Sequence, residues 1–345
     1  MRVYLVNVDR WILPDRALQL MAQRGHQVAG NWLEAPYCQG LDRFTPDVIV
    51  YAPHRQKEPT PLRRIPATTL QGDVVKKVPT ILWGLYPDYL TGWDHARNNH
   101  TDQFLEPVRQ LLPHFRATLA NSRFSKSLLE ARVPGFTFEV CYLCIDTAGI
   151  GERTNGRQQG ERARSVLWHH RWATDKNLPG ALETVLQLAP KYREVTFYLG
   201  RKEDWDEDFW VPQWLKELYA ARSSELEQLR NIRFTPRFAT QGEYWDFLAG
   251  VDIAFSCSYH ETFGIAMLEQ ACAGAACVVP NRAAYPEVHA GALVVPPDEV
   301  VAGIELLLNN LASWQRVTAS SKANAATYTV ERTVETLLRF IESTP

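Results

Sequence analysis

No apolar run in the chain approaches the ~18 residues that a membrane-spanning helix requires, so neither such a helix nor a membrane partner is expected. Cysteine is sparse, six in 345 residues, without the spacing of a disulfide framework. Cys141 and Cys144 form one C-x2-C with no second pair nearby, and a zinc site needs a fuller ligand set. All six thiols are expected to be reduced, most of them small buried hydrophobes. Internal repeats and low-complexity tracts are also missing, which excludes a repeat array. The first apolar run, residues 3–8, is too short for a secretory signal and reads as a buried strand; a cytoplasmic location is the default expectation.

Net charge is only −2, but it is unevenly spread. Residues 1–150 hold 17 Lys and Arg against 14 Asp and Glu, a balance of +3; the remainder holds 20 against 25, a balance of −5. Most of the positive excess lies between His54 and Lys77, where Arg55, Lys57, Arg63, Arg64, Lys76 and Lys77 face only Glu58 and Asp73. This proline-rich stretch reads as a long loop. It suits an anionic partner such as nucleic acid, or it is a solvated insert, and the sequence leaves both open.

What is present is a globular composition, 46% hydrophobic and 22% charged, long enough for two cores. Strand-like runs at residues 3–8, 27–33, 47–52, 79–83, 117–120 and 137–143 alternate with helical patterns at 16–24, 104–112 and 125–131. Asn121-Ser122 is a helix-start signal for the last of these. Residues 147–164 hold four glycines among polar residues and read as a linker. A second series follows, with strands at 165–168, 195–200, 232–235, 252–256, 276–279 and 292–295. Its helices are expected at 179–189, 214–229, 243–249, 264–273 and 299–311, with a final helix at 331–341. Such alternation means βαβ units and mostly parallel sheets. The expected organisation is an N-terminal domain at 1–150, a linker at 151–164, a C-terminal domain at 165–330 and a terminal helix at 331–345. Two doubly wound α/β halves of this kind would face a cleft.

Two loops carry the chemistry. Tyr259-His260-Glu261-Thr262-Phe263-Gly264-Ile265-Ala266-Met267-Leu268-Glu269 reads as strand end, glycine-containing loop and helix start. The helix N-terminus offers unsatisfied N–H groups, a seat for phosphate, with Glu261 and Glu269 on either side. Read structurally, Glu261 is a helix-entry residue and Glu269 a solvated helix position. The second loop, His169-His170-Arg171-Trp172-Ala173-Thr174-Asp175-Lys176-Asn177, follows the strand Val166-Leu167-Trp168, and Asn177 and Pro179 suit the start of the next helix. Arg171 and Lys176 thus lie at a strand's carboxyl end, where open α/β sheets bind ligands. An Arg fork and a Lys point charge there can neutralise a diphosphate; the structural alternative is an exposed basic loop.

Together the two loops resemble retaining GT-B glycosyltransferases of family-4 type. The C-terminal half is most similar to tRNA-queuosine mannosyltransferases, at Leu167-Trp168, His170-Arg171-Trp172, Asp175-Lys176, His260-Glu261, Phe263-Gly264, Ala266 to Glu269 and Tyr285-Pro286-Glu287. The likeness spans roughly residues 165–290. It implies two Rossmann-like domains and a nucleoside-diphosphate-hexose donor, GDP- or UDP-linked, with no cofactor and no metal. It also implies that Arg171 and Lys176 hold the diphosphate, Glu261 the hexose and Glu269 the ribose. Phe263, Gly264, Ile265, His260, Gly200 and Arg201 are further donor candidates. Members usually carry a His after the fourth N-terminal strand; here Trp83-Gly84-Leu85-Tyr86-Pro87-Asp88 has none, leaving Asp88 and His95, with Arg63 and Arg64, as acceptor candidates.

The acceptor implied is a hydroxyl on a modified nucleobase, queuosine in tRNA or a hydroxymethylated pyrimidine in DNA. Trp11, Trp32, Trp83 and Trp93 could stack on such a base or simply pack the core. The alternatives are transfer to a small molecule, lipid or glycan, and a binding protein with a decayed site. Asp204-Trp205-Asp206 is a D-x-D of the metal-holding kind, but it equally suits an acidic helix entry.

Overall fold

Continuous apolar runs, rather than alternating ones, mark strands buried on both faces of a parallel sheet. The computed structural model describes residues 1–6, 15–31, 47–51, 79–83, 112–156, 160, 163–172, 174–200 and 213–343. Its first sheet comprises β1 (Arg2–Val6), β2 (Gln27–Asn31), β3 (Val48–Tyr51), β4 (Thr80–Trp83), β5 (Ala117–Ala120) and β6 (Glu139–Val140), ordered β2-β1-β3-β4-β5-β6. Every pairing in it is parallel. Helix α1 (Asp15–Gln23) links β1 and β2, and α2 (Arg123–Arg132) follows β5. The helix-start signal at Asn121-Ser122 is realised: the Ser122 hydroxyl accepts from the Ser125 amide at 3.0 Å.

The second series runs α3 (Thr147–Thr154), β7 (Ser165–Trp168), α4 (Leu178–Leu188), β8 (Thr196–Leu199), α5 (Gln213–Gln228), β9 (Ile232–Phe234) and α6 (Gln241–Leu248). It continues with β10 (Ile253–Phe255), α7 (Ile265–Cys272), β11 (Ala276–Pro280), α8 (Tyr285–Val288), β12 (Leu293–Val295), α9 (Val300–Asn309) and α10 (Leu311–Ala325). All neighbours in the order β12-β11-β10-β7-β8-β9 are parallel. Val166, Trp168, Phe197, Ile253, Phe255 and Val278 of the sheet are buried against Leu182, Val185, Ile304 and Trp314 of the helices. From β7 the chain winds outward through β8 and β9, then returns beside β7 as β10 and winds the other way. The β7–β10 pair is therefore a topological switch point, and ligands of open α/β sheets bind at the carboxyl ends flanking it.

The domain limits differ from the expectation. One unit holds Met1–Ile145 with Tyr328–Pro345, the other Asp146–Thr327. The terminal helix α11 (Val330–Glu342) is thus part of the first unit, where it packs on α1 with an Arg16–Glu331 ion pair at 2.6 Å, and Glu342 lies 3.1 Å from the His26 ring nitrogen just beyond α1. The stretch expected to be a linker begins as α3, capped by Asp146, whose carboxylate accepts from the Gly149 amide at 3.0 Å. Its glycine is a packing residue: a Cβ on Gly149 would meet the Trp245 ring and the Asp146 carboxylate at 2.7 Å each. Helix α10 was not expected at all; Asn310, the residue after α9, starts it as its side chain accepts from the Ser313 amide. The expected helix at 104–112 and the basic stretch at 54–77 lie outside the described residues. Among the described residues, no helix is long and apolar enough to cross a membrane. Trp83 is wholly buried and donates its ring N–H to the Cys141 carbonyl, which makes it a core residue. Cys141, Cys144, Cys257, Cys272 and Cys277 are all buried thiols outside any disulfide.

Candidate functional site

The loop after β7 is shaped by Asn177. This residue takes a left-handed conformation (φ 53°), accepts from the Gly180 amide at 3.1 Å to cap α4, and donates to the Cys257 carbonyl at 3.1 Å. Gly180 is required opposite it, since a Cβ there would lie 2.5 Å from the Asn177 amide nitrogen. The turn that precedes it, Thr174–Lys176, aims Lys176 at the neighbouring loop. The Asp175 carbonyl accepts from the Tyr259 and His260 amides at 2.9 and 3.3 Å, which ties the β7 loop to the β10 loop across the switch point.

Four charged side chains meet there. Lys176 Nζ lies 2.9 Å from Glu261 Oε2 and 3.1 Å from Asp175 Oδ2, and it donates to the His260 carbonyl at 3.3 Å. Arg171 donates to the same Asp175 oxygen at 3.1 Å and is half exposed. Glu261 Oε1 accepts from the Thr262 and Phe263 amides at 3.0 and 3.3 Å. Burial pushes the Glu261 carboxyl up, but the Lys176 charge and hydrogen bond outweigh it and hold it at about 2. Burial likewise works against charge on Lys176 and Asp175, and their opposite neighbours prevail: Lys176 is held above, and Asp175 below, its usual range. All three stay ionised at neutral pH.

Beside them, α7 starts without a side-chain cap. Its first amides have no carbonyl one turn back to serve, so they remain donors for an anion. Gly264 enters the helix at φ 85°, and a Cβ on it would sit 2.6 Å from His289 Nε2 and 3.4 Å from Glu261 Cγ. His289 Nε2 donates to the Phe263 carbonyl at 3.0 Å. Burial lowers the His289 pKa to about 4, so it acts as a neutral donor. The Ala284 amide holds the Glu261 carbonyl at 3.0 Å. Main chain from three strand-end loops thus fixes the Glu261 turn.

Glu269, one turn into α7, is 3% exposed, not the solvated position of the structural reading. Its Oε1 accepts from Trp245 Nε1 at 3.1 Å and from Gln241 Nε2 at 3.3 Å, both on α6, and its Oε2 receives neither. Burial pushes its carboxyl up to about 7, against those two hydrogen bonds and with a smaller push from Asp146. One carboxylate of the pair is therefore always charged, and the other titrates at neutrality.

The structure brings Arg171, Lys176, Glu261, Phe263, Gly264, Ile265 and Glu269 to this one edge of the second sheet. Of the amides expected to face an anion, that of Phe263 donates to Glu261 instead. His260 is buried, and its main chain meets the cluster twice, its carbonyl accepting from Lys176 and its amide donating to the Asp175 carbonyl. Gly200 directly follows β8: its carbonyl accepts from Trp172 Nε1 at 2.8 Å, and a Cβ would meet the His170 carbonyl at 3.1 Å. His169 stacks on Tyr244 at 4.9 Å, and burial lowers its pKa to about 4. Glu287 lies in the first turn of α8. Arg201, Asp88, His95, Arg63, Arg64 and the Asp204-Trp205-Asp206 run lie outside the described residues, as do Trp11, Trp32 and Trp93. Asp175, Gln241, Trp245 and His289, which hold members of this candidate site, were not singled out by sequence reasoning.

Residues 163–310 match the profile of a family described as glycosyl transferases group 1. A curated relative, tRNA-queuosine alpha-mannosyltransferase of Drosophila melanogaster, is 31% identical over 130 residues, 37% of this chain and 31% of that protein. The chain thus aligns with about a third of that relative's length. Among solved structures, a sucrose-phosphate synthase from Thermosynechococcus elongatus superposes with a TM-score of 0.72 at 11% identity, covering 99% of this chain and 98% of that one. HepE of Anabaena, solved with UDP and glucose, gives 0.66 at 14% identity over 99% and 100%. A structure described as trehalose-6-phosphate from E. coli bound with UDP-2-fluoro glucose gives 0.68 at 11% identity over 98% of each chain. The architecture is accordingly GT-B: α/β, with two Rossmann-like doubly wound units.

Proposed function

We propose that this chain is a retaining, metal-independent glycosyltransferase that moves a hexose from a GDP- or UDP-linked donor to a hydroxyl on a modified nucleobase in tRNA or DNA. The observation that carries the donor half of this reading is the Lys176–Glu261 contact of 2.9 Å, set at the switch point beside the uncapped start of α7. The matched family region covers that same edge.

In this reading the bond between the anomeric carbon and the diphosphate oxygen breaks, and its electron pair leaves with the diphosphate. Lys176, Arg171 and the amides at Gly264 and Ile265 receive the growing negative charge, which preorganised donors stabilise better than water does. Glu261, ionised at any working pH, accepts hydrogen bonds from the hexose hydroxyls and has no proton to give. The acceptor hydroxyl attacks on the leaving-group face, so configuration is retained, and its proton passes to the departing diphosphate oxygen. No enzyme nucleophile is required. Glu269 Oε2 accepts from the ribose hydroxyls while α6 holds Oε1.

The nucleobase acceptor rests on the tRNA-directed relative and on the basic stretch at 54–77. Sugar nucleotides are screened against tRNA, hydroxymethylated DNA and small acceptors, with products read by mass and the anomeric configuration by NMR. One hexose added to nucleic acid with retention, unaffected by chelator and weakened by salt, is expected. Transfer to a small molecule alone would discard the acceptor assignment, and no release of sugar under any condition would discard enzymatic function.

A further inference from the structure

Asp175 is the one carboxylate of the cluster to which the reaction above gives no task. Its Oδ2 lies 3.1 Å from both Arg171 Nη2 and Lys176 Nζ, and its side chain is largely buried. Its carbonyl, separately, anchors the Glu261 loop through the Tyr259 and His260 amides. Resting on the reading of this edge as a nucleoside-diphosphate seat, we propose that Asp175 is a positioning residue that acts as a removable partner for the diphosphate: it holds the two cations together between turnovers and competes with the product for them.

The charges make the case. Arg171 and Lys176 repel one another, and a carboxylate shared between them offsets that repulsion. The formal charges of Arg171, Lys176, Asp175 and Glu261 cancel, so the cluster attracts an anion by local geometry rather than by net charge. Glu261 pairs with Lys176 through Oε2 and accepts the Thr262 and Phe263 amides through Oε1, whereas Asp175 is the carboxylate that touches both cations. Asp175 also remains ionised, since the Lys176 and Arg171 charges outweigh the effect of its burial. Its negative charge is therefore present whenever a nucleoside diphosphate must leave.

The test is the sign of an affinity change. Asp175→Asn keeps the shape of the side chain and the carbonyl that anchors the loop, while Lys176 stays held by Glu261 and the His260 carbonyl. UDP and GDP, each alone, are titrated calorimetrically into wild type, Asp175→Asn, Asp175→Ser and Asp175→Glu. Both neutral variants are expected to bind the preferred nucleotide on the order of tenfold more tightly, with a steeper salt dependence. Asp175→Glu should return to the wild-type value. Unchanged or weaker binding by whichever neutral variant folds overturns the inference while leaving the nucleotide seat intact. Failure of the wild type to bind either nucleotide would sink the seat itself, and this inference with it.

Discussion

Lys176 has three acceptors within 3.3 Å, two of them carboxylates. Removing it does more than delete the proposed diphosphate contact. Lys176→Ala leaves Glu261 without its cation and Asp175 with Arg171 alone, and breaking such a pair costs about 3–5 kcal/mol when buried. Both Lys176→Ala and Glu261→Ala should lower transfer by on the order of 10²–10³. Thermal unfolding read alongside the rate separates lost stability from lost chemistry; a variant that stays folded and transfers at the wild-type rate would remove that residue from the site. Glu269 gives a second prediction. Its folded pKa, about 7, exceeds the ordinary carboxyl value of 4.5, so folding favours its protonated form. Its contribution to stability is complete below pH 4.5 and is lost as pH rises through 7, by roughly 3 kcal/mol. Donor binding that uses the carboxylate should run the other way, tightening from pH 6 to 8. Glu269→Gln should flatten both curves; equal slopes in variant and wild type would contradict this. The position of Arg171, Lys176, Glu261 and Glu269 at a strand end or helix start was legible because each sits at a fixed offset from one. Trp245 and Gln241 were not: their contacts to Glu269 span 24 and 28 positions and exist only once α6 lies against α7.

At the level of elements, glycine was the hardest residue to read. Gly264 was expected to let the backbone approach phosphate, and the structure adds a steric reason, the His289 ring 2.6 Å from any Cβ. Gly264→Ala should cost roughly 1–2 kcal/mol for its left-handed backbone alone, with more for displacing His289 from the Phe263 carbonyl. The measurable outcome is a lowered Tm together with weakened nucleotide binding; an unchanged Tm would show that the turn tolerates a side chain. Gly149 misled in the opposite direction. Read with Gly151 as linker composition, it is helical, and its missing side chain makes room for the Trp245 ring that holds Glu269. Composition cannot distinguish a glycine kept for freedom from one kept for close packing.

For the molecule as a whole, alternation of apolar runs and helical patterns was enough to anticipate two parallel α/β sheets. The order of strands within each sheet, and hence the switch point at β7 and β10, could be read only as an expectation of the resembled architecture. The return of the chain to its first unit was invisible, because an amphipathic helix such as α11 does not declare which core it completes. Val334, Leu337, Leu338 and Ile341 of α11 are buried there. Each fully buried side chain of this kind contributes roughly 1.5–3 kcal/mol, so together they rival the stability of a domain, about 5–15 kcal/mol. A chain ending at Thr327 should lose one calorimetric transition, that of the first unit, and keep the other. Two intact transitions would show that α11 is dispensable.

The central claim is that one edge of the second sheet seats a diphosphate. A crystal structure with the nucleoside diphosphate bound decides it. The diphosphate should lie within hydrogen-bond reach of Lys176 Nζ and the Gly264 and Ile265 amides, with the ribose on Glu269. Density for the nucleotide elsewhere, or Lys176 and Glu269 turned away from it, would contradict that placement.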